Sequence, residues 1–442
     1  MVDLLLTHGT FSGKPCNIGI SGGRIVHVGS DMIAAAERIS IQGKMILPGM
    51  IDPHVHMRDM TLAYKETWES GSRAALAGGV TTVVDMPNTI PPLVSAETYD
   101  AKLEAAKVSR VNYGFHAGTE DRLIDKLDGL LDDTSRPVCG IKIFLASTSS
   151  NEVTDERDFV KEVMKRASAY GKVVLFHCEL SKTLVHNEKK YDADRFNDIS
   201  YHNIIRNIQC ELDAIRLVVE LVRETKARSY ICHLSSAEGF RMAANAAGDG
   251  LPLYTECTPH HAFLSEDAVY SYGNIAKMNP PLRPERERRM LYKKLMNGEF
   301  DTYGTDHAPH TRDEKMTDYF SAPSGIPGLE TGYHLLIDQM LSGHISQESV
   351  MELVAENPAR IFGIRDRGRI EEGMWADIAI VDPDERWKVR PELFESKAKL
   401  SPFAGRELKG RVVMTIVNGA IAYRNGDFSK TIHGKELNYD QT

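Results

Sequence analysis

Two kinds of patterning divide the chain. Near the N-terminus, short apolar runs are separated by glycines, in DLLLTHGTF, NIGISGGRIVHVG and ISIQGKMILPG. Alternation interrupted by Gly turns predicts a small β unit. The C-terminal part reads the same way, in GRIEEGMWADIAIVDPDERWKV and GRVVMTIVNGAIAYRNGDF. Between them the period changes. Apolar runs alternate with helical segments, as in SAETYDAKLEAAKVSR, DERDFVKEVMKRASAYG and the stretch around Glu211 to Glu224. Alternating strand and helix predicts a parallel sheet.

The strand-like runs of the middle part are MILPGMIDPHVH, GVTTVVDMPN, VNYGFHAG, VCGIKIFLAS, KVVLFHCE, RSYICHLSS, LPLYTECTPHH and FDTYGTDHAPH. Eight is the number that closes a (β/α)8 barrel. The predicted fold is therefore α/β: a TIM-type barrel over residues 49–362, with a small discontinuous β-sandwich built from residues 1–48 and 363–442. In such barrels the C-terminal strand ends converge on the active site. Each run here ends in a polar or ionisable residue. That places His54, His56, Asn88, His116, Lys142, His177, His233, His260, His261 and Asp306 around one mouth.

His54, His56 and Arg58 in DPHVHMRD are spaced by two. Alternate residues of an extended strand share a face, so two imidazoles and a guanidinium are expected side by side. Two neutral imidazoles can chelate one transition metal. An HxH alone is weak, since a solvated loop carries one as readily. His177 and His233, at the ends of adjacent predicted strands, strengthen it, although a lone strand-end histidine is more often a satisfied core residue. Asp306 in GTDHAPH adds a carboxylate that can ligate a metal and accept a proton. Lys142 lies in the almost wholly apolar CGIKIFLAS. It is a snorkelling lysine, a Schiff-base lysine, or a desolvated amine that captures carbon dioxide as a carbamate.

Taken with AGGVTTVVDMPNT, KMNPPLR, SGIPGLET, ENPARIFG and GRIEEGMWADIAIVD, these motifs resemble the amidohydrolase superfamily, and within it the dihydroorotase group, over nearly the whole chain. The resemblance implies two Zn²⁺ ions bridged by carboxylated Lys142 and a hydroxide. His54 and His56 would hold one ion with Asp306, and His177 and His233 the other. Asp306 would shuttle the proton. Arg58, Asn88 and His310 would hold a substrate carboxylate, and Asn279 and Gly325 would meet the substrate ring. The implied reaction is reversible hydrolysis of dihydroorotate to N-carbamoyl-aspartate.

Allantoinase and dihydropyrimidinase or hydantoinase are the alternatives within the superfamily. Hydantoinase relatives tend to carry a tyrosine five residues after the lysine, where this chain has Ser147. Allantoinases typically lack the asparagine of MPNT, here Asn88. Two departures stand out: Asp59 replaces a glutamate in HMRD, and Ser324 stands where many relatives have phenylalanine. Superfamily members that serve as metal-free scaffolds lose ligands, and here every proposed ligand is present. The polar, Gly- and Pro-containing segment 308–325 is expected to be a mobile cover. No role is assigned to His116, His260 or His261.

Composition narrows the partners. The chain of 442 residues is 42% hydrophobic and 26% charged, an ordinary globular mixture. Its net charge of -9 argues against nucleic acid as the main partner. No apolar run is long enough to span a bilayer, and the N-terminus lacks the basic region of a signal peptide. Six scattered cysteines fit a reducing cytoplasm. A small-molecule substrate is expected. A homodimer and an association with aspartate transcarbamoylase are left open as further partners.

Overall fold

The computed structural model describes residues 1–119, 124–147, 154–191 and 198–440. The N-terminal β unit comprises β1 (Val2–Phe11), β2 (Lys14–Ser21), β3 (Arg24–Gly29), β4 (Ala35–Ser40) and β5 (Met45–Pro48). The middle of the chain supplies β6 (Met50–Val55), β7 (Val80–Asp85), β8 (Asn112–Ala117), β9 (Gly140–Phe144), β10 (Val173–His177), β11 (Ser229–Ile231), β12 (Leu253–Cys257) and β13 (Thr302–Tyr303). These eight form one sheet in sequence order, and every neighbouring pair is parallel. The seam between its two edges is bridged where His56 N donates to His307 O at 2.8 Å and Val55 pairs with His307. The result is a nearly closed barrel of the predicted class.

The strand register follows from two-sided burial. In β10, Val174 and Phe176 join the outer core under the helices, whereas Val173 and Leu175 point into the barrel with Tyr230 and Cys232. Alternation then turns His177 inward at the strand end. Leu175 pairs with Lys142 on β9, and His177 with Phe144. Phe362 plugs the far end of the barrel, its ring 5.5 Å from His116 and 5.2 Å from Tyr230. Helices fill the crossovers. Trp68–Ala77 and Ala96–Ala106 each begin with a capping box, from Thr67 and Ser95.

Both termini build the second sheet. β14 (Ile378–Lys388), β15 (Glu407–Val417), β16 (Ala420–Arg424) and β17 (Asp427–Phe428) continue it from β5, in the order β17-β16-β15-β14-β5-β1-β2-β3 with β4 on β1. Ile18, Ile20, Ile25, Ile378, Ile380 and Ile416 form its core. The run MILPGMIDPHVH thus serves two sheets. Met45–Pro48 pair with β14, and Met50–Val55 start the barrel. Gly49 marks the change, because a Cβ there would lie 2.1 Å from the Thr81 side chain.

Candidate metal centre and active site

One pocket opens at the C-terminal ends of the barrel strands. His54, His56, Asn88, Lys142, His177, His233, Asn279, Asp306, Ser324 and Gly325 all line it, with Phe144, Met278 and Ala308. Ten of the twelve residues given a site role from the sequence therefore share one cavity, whereas His116, His260 and His261, also expected at this mouth, do not line it. Arg58 and His310 stand directly behind it.

Three imidazoles are oriented in the same way. His54 Nδ1 donates to Glu256 Oε1 at 2.8 Å, His56 Nδ1 to Asn88 Oδ1 at 2.7 Å, and His177 Nε2 to Glu179 Oε2 at 2.8 Å. Each outer nitrogen is thus held as the proton carrier, which leaves a bare lone pair on the inner one. The inner nitrogens of His54 and His56 face Asp306 Oδ1 at 3.2 and 3.1 Å. That of His177 faces His233 Nε2 at 3.0 Å. Burial holds all four imidazoles below their ordinary pKa, and so neutral. Lone pairs directed at a carboxylate repel unless a cation lies between them. This donor set fits divalent ions with N and O ligands. His54, His233 and Asp306 offer ligand atoms within 4.8 Å of one another.

Lys142 is 1% exposed, with Nζ 3.0 Å from Cys232 Sγ and 5.1 Å from the centre of the Phe144 ring. Among the described residues it has no carboxylate partner. Cys232 also converges with His54 and Glu256. Burial pushes its thiol up to about 12, which keeps it protonated and a poor ligand.

Arg58 reaches the site by a route that strand alternation does not describe. β6 stops at Val55, and Arg58, Asp59 and Met60 have φ values of 59°, 49° and 50°. The guanidinium is 4% exposed. Its Nε donates to Pro309 O at 3.2 Å, and one terminal nitrogen lies 3.1 Å from His310 Nε2. It does not pair with Asp59, whose carboxylate instead accepts from Trp68 N at 2.7 Å and Met60 N at 2.6 Å. Burial draws the Arg58 pKa down to about 10. His310 Nδ1 accepts from Lys65 Nζ at 3.1 Å, so its Nε2 donates to Ser324 O at 3.0 Å.

Two lysines bond to the backbone of the segment 308–325. Buried Lys315 donates to Lys277 O, Pro323 O and Gly325 O at 3.2, 2.9 and 3.0 Å. Lys277 donates to Tyr319 O and Ala322 O, both at 2.6 Å. Gly325, at φ 152°, allows Ala308 O to approach, because a Cβ would lie 2.4 Å from it. Asn279 Oδ1 accepts from His202 Nε2 at 2.9 Å. His116 and His261 donate to Pro53 O and Pro280 O. His116 thus bonds to the backbone of β6 and His261 to that of a loop.

The sequence reading missed Glu179 and Glu256. Glu256 sits inside the apolar run LPLYTECTPHH, where a buried acid was the available signal. Burial opposes the charge of Glu179, yet Arg206 and His177 hold its carboxyl down to about 2. Burial raises Glu256 to about 7.

Comparison with known proteins agrees with this architecture. Residues 45–422 match the amidohydrolase family. A dihydroorotase of Methanothermobacter thermautotrophicus is 37% identical over 93% of this chain and 91% of its own length. An allantoinase of Salmonella paratyphi B is 31% identical over 95% of each. The solved structure of the L-hydantoinase (dihydropyrimidinase) from Arthrobacter aurescens superposes with a TM-score of 0.94 at 26% identity, covering 99% of this chain and 100% of that one. The protein belongs to the amidohydrolase family and is a hydrolase acting on cyclic amides.

Proposed function

We propose that this protein is a dihydroorotase, interconverting L-dihydroorotate and N-carbamoyl-L-aspartate in de novo pyrimidine biosynthesis. One observation carries the reading. A buried guanidinium, Arg58, stands behind the pocket with no carboxylate within ion-pair distance among the described residues. A fixed cation so placed favours a substrate that brings its own carboxylate. L-dihydroorotate has one; allantoin and dihydrouracil do not. The identity shared with the dihydroorotase, higher than with the allantoinase, points the same way.

His54, His56, Lys142 as its carbamate, His177, His233 and Asp306 would hold two zinc ions. When bound, such ions supply an acidified water and polarise the ring carbonyl. Arg58, Asn88 and His310 orient the substrate carboxylate, and Asn279, Ser324 and Gly325 border the ring. A water adds to the ring amide carbon, and its proton passes to the Asp306 carboxylate. The C–N bond breaks as Asp306 returns that proton to the departing nitrogen. Ring closure runs the same steps backwards, with loss of water.

The proposal extends to a division of the chain into residues 1–48 plus 363–442 and residues 49–362. It also extends to a cytoplasmic location, in keeping with six unpaired buried cysteines. The deciding experiment compares turnover of L-dihydroorotate, allantoin and dihydrouracil by the zinc-loaded protein. Preference for allantoin would replace this reading with its main competitor.

A further inference from the structure

One buried ion pair has no part in the reaction as described. Lys102 and Asp85 are each 1% exposed, with Nζ 2.8 Å from Oδ2. Lys102 comes from the helix Ala96–Ala106, and Asp85 ends β7. The second Asp85 oxygen accepts from Met57 N at 2.7 Å. The same ammonium donates to Met86 O at 2.5 Å. Met57 lies between His56 and Arg58, and Met86 leads into Asn88, which itself accepts from His56. The contacts therefore close a ring around the two segments that carry His56, Arg58 and Asn88.

The segment after Met57 needs such a hold. Arg58, Asp59 and Met60 are three successive non-glycine residues in the left-handed region. Each such residue costs free energy and persists only where its surroundings over-determine it. On the far side, Asp59 supplies that determination through Trp68 N, Met60 N and the bond from its own N–H to Glu66 O at 3.1 Å. On the near side, the residue next to the turn, Met57, has its N–H held by the Asp85 side chain. Lys102 is the counter-ion that compensates this buried carboxylate, and removing one partner of such a pair is strongly disruptive.

We infer that the Lys102–Asp85 pair is a positioning device: it fixes the left-handed turn at residues 58–60 and thereby the aim of Arg58, His56 and Asn88. The inference rests on the dihydroorotase reading only for the substrate named in its test. Lys102→Met, and Asp85→Asn together with Lys102→Met, are compared in the full-length protein. Metal content, thermal unfolding, and KM and kcat for L-dihydroorotate are measured for each.

Lys102→Met leaves a buried carboxylate unpaired. It is expected to raise KM about tenfold or more, with a smaller change in kcat, since misplacement by about 1 Å can cost up to about a hundredfold. The double variant is neutral and keeps an oxygen for Met57 N. It is expected to recover most of the lost KM, which pairs the two residues functionally. An unchanged KM in folded Lys102→Met overturns the inference. So does a double variant no better than the single one, or one that restores only thermal stability. Should the wild type prefer another cyclic amide, the dihydroorotase reading fails by itself. The variants are then compared on that substrate, and the retention of zinc against a chelator reports the aim of His56 independently.

Discussion

The pocket has two walls built by different means. His54, Lys142 and His177 stand on barrel strands, where alternation and two-sided burial set their direction. Arg58, Asn88, His310, Ser324 and Gly325 stand on connecting segments. Side chains bonded to backbone hold that wall: Asp85 on Met57 N, Lys315 on three carbonyls, Lys277 on two. The strand wall is the sheet itself, so the direction of its side chains is fixed by the barrel. The loop wall is set by a few polar contacts that can change singly. The difference explains how relatives named for different cyclic substrates share one architecture.

The largest expected break lies on the strand wall. Lys142→Ala should lose bound metal and turnover together, with partial recovery on adding a short carboxylic acid. Metal analysis and a rescue assay check it, and a fully active, metal-loaded protein with unmodified Lys142 by mass spectrometry would refute the carbamate. Asp306→Asn comes next. Removal of the proposed proton carrier should cost about 10²–10⁴-fold in both directions, read by steady-state rates of hydrolysis and ring closure. Near-normal rates would move the proton transfer elsewhere.

The loop wall should break selectively. Arg58→Met should leave metal content intact and cost about 2–5 kcal/mol in transition-state binding of L-dihydroorotate. That is roughly thirtyfold to several thousandfold in kcat/KM. Any weak turnover of dihydrouracil should be spared. Equal loss on both substrates would make Arg58 a structural residue and remove the main support for the dihydroorotase reading.

A last effect, on stability rather than turnover, concerns Glu330, away from the pocket. Glu330 accepts from Glu395 N at 3.0 Å and Ser396 N at 3.1 Å, and burial raises its carboxyl to about 8. Its folded pKa exceeds its unfolded one. Its contribution to stability is therefore complete below the ordinary carboxyl range and is lost as pH rises to about 8. Each pH unit in that window costs at most about 1.4 kcal/mol. Glu330→Gln keeps an oxygen for both N–H groups and should flatten this slope in denaturant titrations between pH 5 and 8. An unchanged slope would assign the dependence to other groups.

The eight strands were legible as apolar runs, and His54, His177 and Asp306 near their ends reach the pocket, whereas His116, His260 and His261 do not. The split of MILPGMIDPHVH was not legible, because its two halves are separated by which strand lies beside them. The partner of β5 lies far along the chain, and no local pattern announces it. Arg58 was assigned to the pocket by its spacing, yet it arrives there through left-handed residues that spacing does not encode. His233 and Asp306 also have positive φ, 36° and 46°, and were found by residue type rather than by periodicity. Glu256, Glu179 and the Lys102–Asp85 pair act only through tertiary neighbours, so a single sequence marks them merely as charges in apolar surroundings. The expectation of a mobile 308–325 cover came from its composition. It did not include the two lysines, Lys277 and Lys315, that bond to backbone of that segment and its neighbours.

The pairing of β5 with β14 sets an order of events during synthesis. β1 and β2 form a local hairpin and can pair as soon as they leave the ribosome. β5 must wait for Ile378–Val381, about 330 residues later. At about 5–20 residues per second, that delay is on the order of 15–70 s. Throughout it, the nascent chain carries an unpaired strand edge while the barrel is still being made. A slow ribosome, a scarcity of chaperones or high expression should therefore harm this protein first through its N-terminal sheet, well before any residue of the pocket is at fault.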